Sequence, residues 1–270
     1  MEKITLPFEQ VVVVGGTGQV GHRVLELLLE HEGLAIVATS RAIGGTGAPA
    51  GPLATTIAAD ALRWGARVKW AALDLESETP EVERQLAAMA SALARGRRTA
   101  LVFAAAFTNV DACETDPARC ERVNERNTAA VMKWARDGFG ARIAFYSTDY
   151  VFDGERGFYP ETSPRSPVSA YGRSKAFVEE WLERHAPDSL ILRTTGVYDY
   201  LPGSKNFLMQ MLALWGEGKP TRVPSDQLAN PVWARQLAKA TVELLARGSR
   251  GIYNVAGATQ LARVDFARAI

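Results

Sequence analysis

Cysteine and histidine are scarce in this chain, with two cysteines and three histidines among 270 residues. Cys113 and Cys120 have no neighbouring histidine or second cysteine pair, which excludes a disulfide framework and the common zinc spacings and predicts reduced thiols. His22, His31 and His185 fall in helical or helix-end stretches without ligand spacing. They read as surface or helix-terminal residues, and no metal is expected. An excess of one charge is also missing: 31 Lys and Arg face 30 Asp and Glu, a formal net charge of +1. No broad field therefore points to nucleic acid or a membrane as partner. Apolar runs long enough to span a bilayer are lacking. The opening MEKITLPFEQ has none of the basic, apolar and small-residue sections of a secretory signal, so a cytoplasmic location is the expectation.

What is present is an ordinary globular balance, 47% hydrophobic and 23% charged, with the length of one large α/β domain carrying at most a small lobe. Residues 9–14, with the unbroken β-branched run Val11 to Val14, have the pattern of a fully buried parallel strand. A glycine-rich turn follows, then residues 20–30, where Val24, Leu25, Leu28 and Leu29 repeat at helical spacing. Further strands are predicted at 34–39, 68–73, 99–104 and 142–147, with helices at 81–94 and 117–136. Residues 42–59 are rich in Gly, Ala, Pro and Thr and read as a loop followed by a short helix. Beyond 147 the pattern gives helices at 171–185, 207–215 and 235–247 and strands at 190–193 and 252–255.

This alternation predicts a Rossmann-type, doubly wound parallel sheet with a small C-terminal substrate-binding lobe. The expected core is residues 1–195 with 231–256 returning to it. Residues 196–230 and 257–270 would form the lobe. The chain stops inside an amphipathic stretch, and a truncated C-terminus is the expectation.

The turn Gly15-Gly16-Thr17-Gly18-Gln19-Val20-Gly21 carries glycines three apart, directly after a buried strand and opening a helix, the context that dinucleotide binding requires. Gly15 permits the tight turn and Gly18 lets a pyrophosphate approach backbone N–H groups. Gly21 lets the helix pack on the sheet, its N-terminus facing the anion. Strand two ends in Ser40-Arg41, without the acidic residue that would bind a free ribose 2′-hydroxyl. That pair suits a 2′-phosphate, so NADP(H) is favoured over NAD(H). Asp74, followed by Leu75, either bonds the adenine or caps the segment after it.

Strand five ends in Ser147-Thr148-Asp149, placing hydroxyls at the edge where ligands of such sheets sit. Downstream, Tyr171 and Lys175 stand one helical turn apart on one face. A phenol with a free pKa of about 10 is a poor acid–base at neutral pH. Lys175 beside a cationic nicotinamide would favour the phenolate and bring proton exchange nearer working pH. Thr148 would hold a substrate carbonyl beside Tyr171.

With these segments the chain resembles the extended short-chain dehydrogenases, and within them the dTDP-4-dehydrorhamnose reductase-like group, over nearly its whole length. The resemblance rests on residues 15–21, on Ala104-Ala105-Ala106-Phe107-Thr108-Asn109-Val110-Asp111-Ala112-Cys113-Glu114, and on Tyr171 to Lys175. Leu192-Arg193-Thr194, Asn206-Phe207 and Asp226-Gln227 add to it. Its most characteristic string is Ser147-Thr148-Asp149-Tyr150-Val151-Phe152-Asp153-Gly154.

The resemblance implies a Thr148–Tyr171–Lys175 triad that delivers hydride from NAD(P)H to a nucleotide-linked 4-keto-6-deoxy sugar. Tyr171 would be proton donor and Lys175 would also bind the nicotinamide ribose. Gly15, Thr17, Gly18, Gln19, Val20, Gly21, Ser40, Arg41, Asp74 and Leu75 would hold the cofactor, with Ala104, Ala105 and Ala106 lining it. Thr108, Asp149, Tyr150 and Asn206 would lie near the sugar. Asn124 matches an asparagine common in the family and is either a site residue or a helix-surface amide. A homodimer is the partner state the resemblance raises.

Three departures stand out. Gly196 replaces a tryptophan that contacts the sugar in rhamnose-forming enzymes, Asp199 replaces a glycine, and Leu228-Ala229-Asn230-Pro231-Val232 replaces a segment with Gly and Pro-Thr. Two other readings share the cofactor half: an epimerase or related dehydrogenase, and a non-catalytic regulatory subunit resembling the β subunit of methionine adenosyltransferase. Trp134 and Trp181 fit core packing, and Arg95 to Arg98 fit a helix C-terminal end.

Overall fold

The computed structural model describes residues 5–43, 49–50, 60–61 and 63–270. Its centre is a seven-stranded, all-parallel sheet of β1 (Gln10–Val14), β2 (Ala35–Ser40), β3 (Val68–Ala72), β4 (Thr99–Phe103), β5 (Arg142–Thr148), β6 (Leu190–Thr194) and β7 (Gly251–Asn254). Across the sheet the order is 3-2-1-4-5-6-7. The run of Val11 to Val14 explains the placement of β1. Every residue of that strand is buried, because helices cover both faces of the sheet. Val13 registers with Ala38 on one side and Val102 on the other. Strand order reverses between β1 and β4, and the crevice at that switch point is where ligands of such sheets bind.

Helix α1 (Gln19–Leu28) turns Val24, Leu25 and Leu28 into the core. It packs against α8 (Ala234–Ala246), and together they cover one face. The other face is covered by α2 (Thr79–Ala90), α5 (Thr128–Phe139) and α6 (Ala170–His185), through residues such as Leu86, Met132, Val178 and Leu182. Between β4 and β5 the chain also forms α3 (Val110–Thr115) and α4 (Pro117–Glu121). After β6 come α7 (Phe207–Gly216), then α8, β7 and finally α9 (Arg263–Ala269). An antiparallel ladder of Leu228–Ala229 with Leu261–Ala262 ties the last segments together.

The strands and main helices match the sequence pattern to within a few residues at their ends. Four features differ. The helix expected over 117–136 is broken by a π-helical turn at Arg122–Asn127, which turns Asn124 and Asn127 inward. Apolar periodicity carries no trace of this extra residue per turn. Of the loop and short helix expected at 42–59, residues 44–48 and 51–59 lie outside the described residues, and 42–43 pairs with 49–50 as a short ladder. The Arg95–Arg98 cluster lies beyond α2, which stops at Ala90, and Arg98 pairs with Glu9 instead of a helix end. His22 is buried, stacked 5.1 Å from the Trp64 ring, whereas His185 is exposed as expected. Trp134 and Trp181 are half-buried against the core. Among the described residues no helix is long and apolar enough to cross a membrane.

Candidate active site

The glycine-rich turn is built by close approach. Gly15 has φ +83°, a left-handed conformation, and a Cβ there would sit 3.0 Å from the backbone of Ala104 and Ala105. Its N–H donates to Thr39 Oγ1 (3.1 Å), and the N–H of Gly18 donates back to its carbonyl (2.9 Å). A Cβ on Gly21 would collide with that same carbonyl, so α1 can start here only with glycine at 21. Gly18 is the N-cap and has no side chain to bond the first-turn N–H groups, and no acidic residue occupies that turn. Those donors are left for an anion. Thr17, Gln19 and Val20 line the turn half-buried.

Beyond β2 the expected ribose-side residues part ways. Ser40 is buried, whereas Arg41 is 71% exposed and faces Glu76 at 3.6 Å. Glu76 is also held by Arg119 at 2.7 Å. Asp74 caps: its Oδ1 accepts the Glu76 N–H (3.1 Å), and its own N–H donates to Gln85 (2.8 Å). Leu75 is buried, and its carbonyl accepts a bond from Asn127 (2.8 Å).

Ala104, Ala105 and Ala106 follow β4 as a half-buried strip opposite Gly15. The strip is fixed by Asn124, which is no surface amide. Its Oδ1 accepts the Phe107 N–H (2.8 Å), and its Nδ2 donates to the Phe107 carbonyl (3.0 Å) and to Ser174 Oγ (3.2 Å). One asparagine thereby clamps the strip to α6. Thr108 lies exposed just past the clamp.

Helix α6 carries Tyr171 and Lys175 to the carboxyl end of β5. Ser169 caps it, its Oγ accepting the Gly172 N–H (3.0 Å), and the Glu114 carboxylate accepts the Ala170 N–H. Lys175 is 4% exposed, and its Nζ donates to the Tyr146 carbonyl (2.9 Å). It lies 4.5 Å from the Phe145 ring centroid and 5.9 Å from that of Tyr171. Burial pulls the ammonium down to about 8, against the pull of Glu179 in the other direction. Thr148 ends β5, donating to Asp149 Oδ1 (3.1 Å) and accepting the Tyr150 N–H (3.2 Å). Tyr150 stands edge-on to Tyr171, with ring centroids 5.8 Å apart.

Burial, then the nearby Asp149 carboxylate, push the Tyr171 phenol above its ordinary value. Desolvation of the phenolate is the dominant cause. Burial also raises Asp149, against bonds from Thr195 and Thr148. The arrangement gathers a protonated phenol, a hydroxyl and a cation at one sheet edge, opposite the anion-ready turn.

Underneath lies a buried polar network with no periodic signal in the sequence. Glu179 accepts from Ser147 Oγ (2.5 Å) and from Arg193 through Nε (3.0 Å) and Nη2 (2.7 Å), while Arg165 reaches it at 3.0 Å. Burial alone would raise this carboxyl, but the Arg193 and Ser147 bonds win and hold it below its ordinary range. The Leu192-Arg193-Thr194 string thus supplies the counter-charge that lets α6 bury a carboxylate one turn below Lys175.

The family model described as the RmlD substrate binding domain matches residues 9–270. This chain belongs to that family. It is an extended short-chain dehydrogenase/reductase of the dTDP-4-dehydrorhamnose reductase-like group. It is 39% identical over 180 residues to a dTDP-4-dehydrorhamnose reductase of Burkholderia thailandensis, a match covering 63% of this chain and 59% of that protein. The chain therefore spans less than two thirds of that relative's length. A hypothetical dTDP-4-dehydrorhamnose reductase from Sulfolobus tokodaii superposes with a TM-score of 0.73 at 28% identity, covering 96% of this chain and 80% of that one. The UDP-glucuronic acid 4-epimerase of Bacillus cereus superposes with a TM-score of 0.78, covering 95% and 80%. At 19% identity that likeness is one of fold alone.

Within this RmlD-family chain the departures form their own structure. Gly196 has φ +52°, and a Cβ there would sit 3.3 Å from Pro231 Cα, so a tryptophan could not replace it without strain. Asp199 is buried and ion-paired with Arg23 of α1 at 2.6 Å. Asn206 caps α7, its Oδ1 accepting the Met209 N–H (3.1 Å), and its Nδ2 bonds Gln19, Asp199 and Ser204.

Two other clusters carry no chemistry of their own. His22, Glu26 and Asp60 converge, but Arg23 holds Glu26 and Arg63 holds Asp60, which removes the negative charge a cation would need. Cys113 and Cys120 are free and buried beside Tyr171. Burial, then a hydrogen bond with Cys120, push the Cys113 thiol up to about 12, so Cys113 offers no thiolate.

Proposed function

We propose that this chain is a reductase of a nucleotide-linked 4-keto-6-deoxy sugar, of the dTDP-4-dehydrorhamnose kind, with NADP(H) preferred over NAD(H). The observation that carries the reading is the gathering of Thr148, Tyr171 and Lys175 at the end of β5, opposite a glycine turn whose helix leaves its first N–H groups uncapped. The residues present fit a dinucleotide. The turn is a cradle that side chains at 15 and 21 would fill, and the alanine strip opposite offers only methyl groups. Gly15, Thr17, Gly18, Gln19, Val20 and Gly21 would hold the pyrophosphate, Asp74 and Leu75 the adenine side, and Ala104 to Ala106 the inner face. Ser40 and Arg41 would meet a 2′-phosphate, with Arg41 exchanging Glu76 for it.

When bound, the dinucleotide supplies the hydride. The chain's residues then manage the proton. Thr148 turns its hydroxyl from Asp149 to donate to the sugar carbonyl oxygen, and Tyr171 gives its proton to the same oxygen. A phenol raised by burial is fully protonated at neutral pH, the form a reduction needs. Lys175 stabilises the phenolate left behind and bonds the nicotinamide ribose. Thr108, Asp149 and Tyr150 face the sugar. Residues 196–230 and 257–270 serve as the substrate lobe, and residues 1–195 with 231–256 as the core.

The test is the stoichiometry of NADPH consumption with purified chain and a dTDP-4-keto-6-deoxy sugar. The reading requires equimolar loss of NADPH and ketone. A sugar altered without net NADPH loss would indicate an epimerase. Tight NADPH binding without any change in the sugar would favour the regulatory-subunit reading.

A further inference from the structure

Asp199 is a buried carboxylate that the proposed chemistry does not use. It is 1% exposed, yet it faces a full complement of donors. Arg23 grips it with two nitrogens, Nε to Oδ2 at 2.6 Å and Nη2 to Oδ1 at 3.2 Å, and Trp233 Nε1 donates to Oδ1 at 3.0 Å. Such a pair is costly to bury, and removing one partner alone is strongly destabilising because the other is left without a counter-charge. Its backbone carbonyl accepts from Asn206 Nδ2 (2.8 Å), which also reaches Gln19 Oε1 (2.9 Å). Gln19 Nε2 closes the ring on the Val197 carbonyl at 3.3 Å.

Gln19 and Arg23 stand four residues apart, so both attachments lie on one face of α1. Gln19 directly follows Gly18, the uncapped N-terminus of that helix. An anion bound there supplies the partner that the first-turn N–H groups lack and stiffens the turn from which Gln19 projects. Asp199, anchored by Arg23, holds Val197 and Asn206 within reach of Gln19, and that order passes through both links to residues 197–206, on the substrate side of the site.

We propose that Asp199 is a positioning residue that couples nucleotide binding at the α1 N-terminus to ordering of the substrate-side segment 197–206. The proposal rests on the dinucleotide reading above. It makes the glycine-to-aspartate departure at 199 a gain of coupling between two halves of the site.

The experiment is backbone hydrogen exchange of the full chain with and without saturating NADPH, with binding followed separately by calorimetry. In the native chain NADPH should slow exchange across 197–206 by about fivefold or more, the lower end of usual intersite couplings. Asp199→Asn should lose that slowing while still binding NADPH. Should Asp199→Asn fail to fold, the paired change Arg23→Met with Asp199→Leu fills the same space without charge and must lose the slowing too. In either variant the KM for the keto sugar should rise by about tenfold while kcat stays within about twofold. Equal slowing in the paired variant, or bound NADPH without slowing in the native chain, overturns the coupling alone. Failure of NADPH to bind the native chain overturns the dinucleotide reading and the coupling with it.

Discussion

Gly172 lies against the backbone of Tyr150 so closely that a Cβ on it would overlap the Tyr150 carbonyl oxygen and sit 3.0 Å from its carbon. This contact sets how near α6 comes to the end of β5, and hence where Tyr171 stands relative to Thr148. Gly172→Ala must push the first turn of α6 away. Overpacking of this kind costs about 1–3 kcal/mol, and a misplacement near 1 Å costs on the order of a hundredfold in rate. The expected result is a kcat lowered by at least about tenfold with NADPH affinity within about threefold, since the glycine turn is untouched. Parallel calorimetry and steady-state kinetics check this.

Lys175 is expected to trade stability for function. Its buried ammonium sits at about 8, below the ordinary 10.5. Below the lower value both folded and unfolded chains carry the proton, and the fold bears the whole desolvation cost. As pH rises through the two values that cost disappears. Lys175→Met should therefore raise the unfolding free energy at about pH 7, by on the order of 1–3 kcal/mol less the lost bond to Tyr146, and Tm with it. The gain should shrink towards about pH 11, while turnover is lost throughout. Thermal unfolding across that range measures it.

The Glu179 network behaves in the opposite sense. Its carboxyl is held below the ordinary 4.5, so its contribution is full above that value and is lost as pH falls through the lower one. Glu179→Gln leaves Arg193 buried without a counter-charge and should cost about 3–5 kcal/mol near neutral pH. The difference from the native chain should narrow in acid. Urea unfolding at several pH values follows it.

Cofactor preference is expected to turn on Arg41 and its neighbour. Arg41 is shared with Glu76 in an exposed pair of the kind worth about 0.2–1 kcal/mol. Glu76→Gln frees the guanidinium and should tighten NADPH by about twofold to fivefold, leaving NADH unchanged. Arg41→Asp should reverse the preference. Fluorescence titration with both nucleotides distinguishes these outcomes.

Much of this was legible in the sequence because it depends on local rules. The β-branched run of β1, the glycines at 15, 18 and 21 and the Tyr171–Lys175 spacing each state their geometry within one turn or strand. What was not legible depends on contacts between distant residues. Asn124 read equally well as a surface amide, because its inward turn comes from a π-helical residue that apolar periodicity does not record. His22 looked peripheral until Trp64 covered it. Arg193 looked like part of a family string, and its partner Glu179 stands one turn beyond the motif that drew attention to α6. The Asp199–Arg23 pair joins residues far apart in sequence, and only the closed fold brings them together.

The central claim is that Tyr171 is the proton donor of a keto-sugar reduction, and Tyr171→Phe tests it most directly. NADPH oxidation with a dTDP-4-keto-6-deoxy sugar should fall by about a hundredfold to ten-thousandfold in the variant, the usual worth of a positioned acid. NADPH affinity should be retained. Turnover equal to that of the native chain, or a native chain that binds NADPH and leaves the sugar unreduced, would contradict the account.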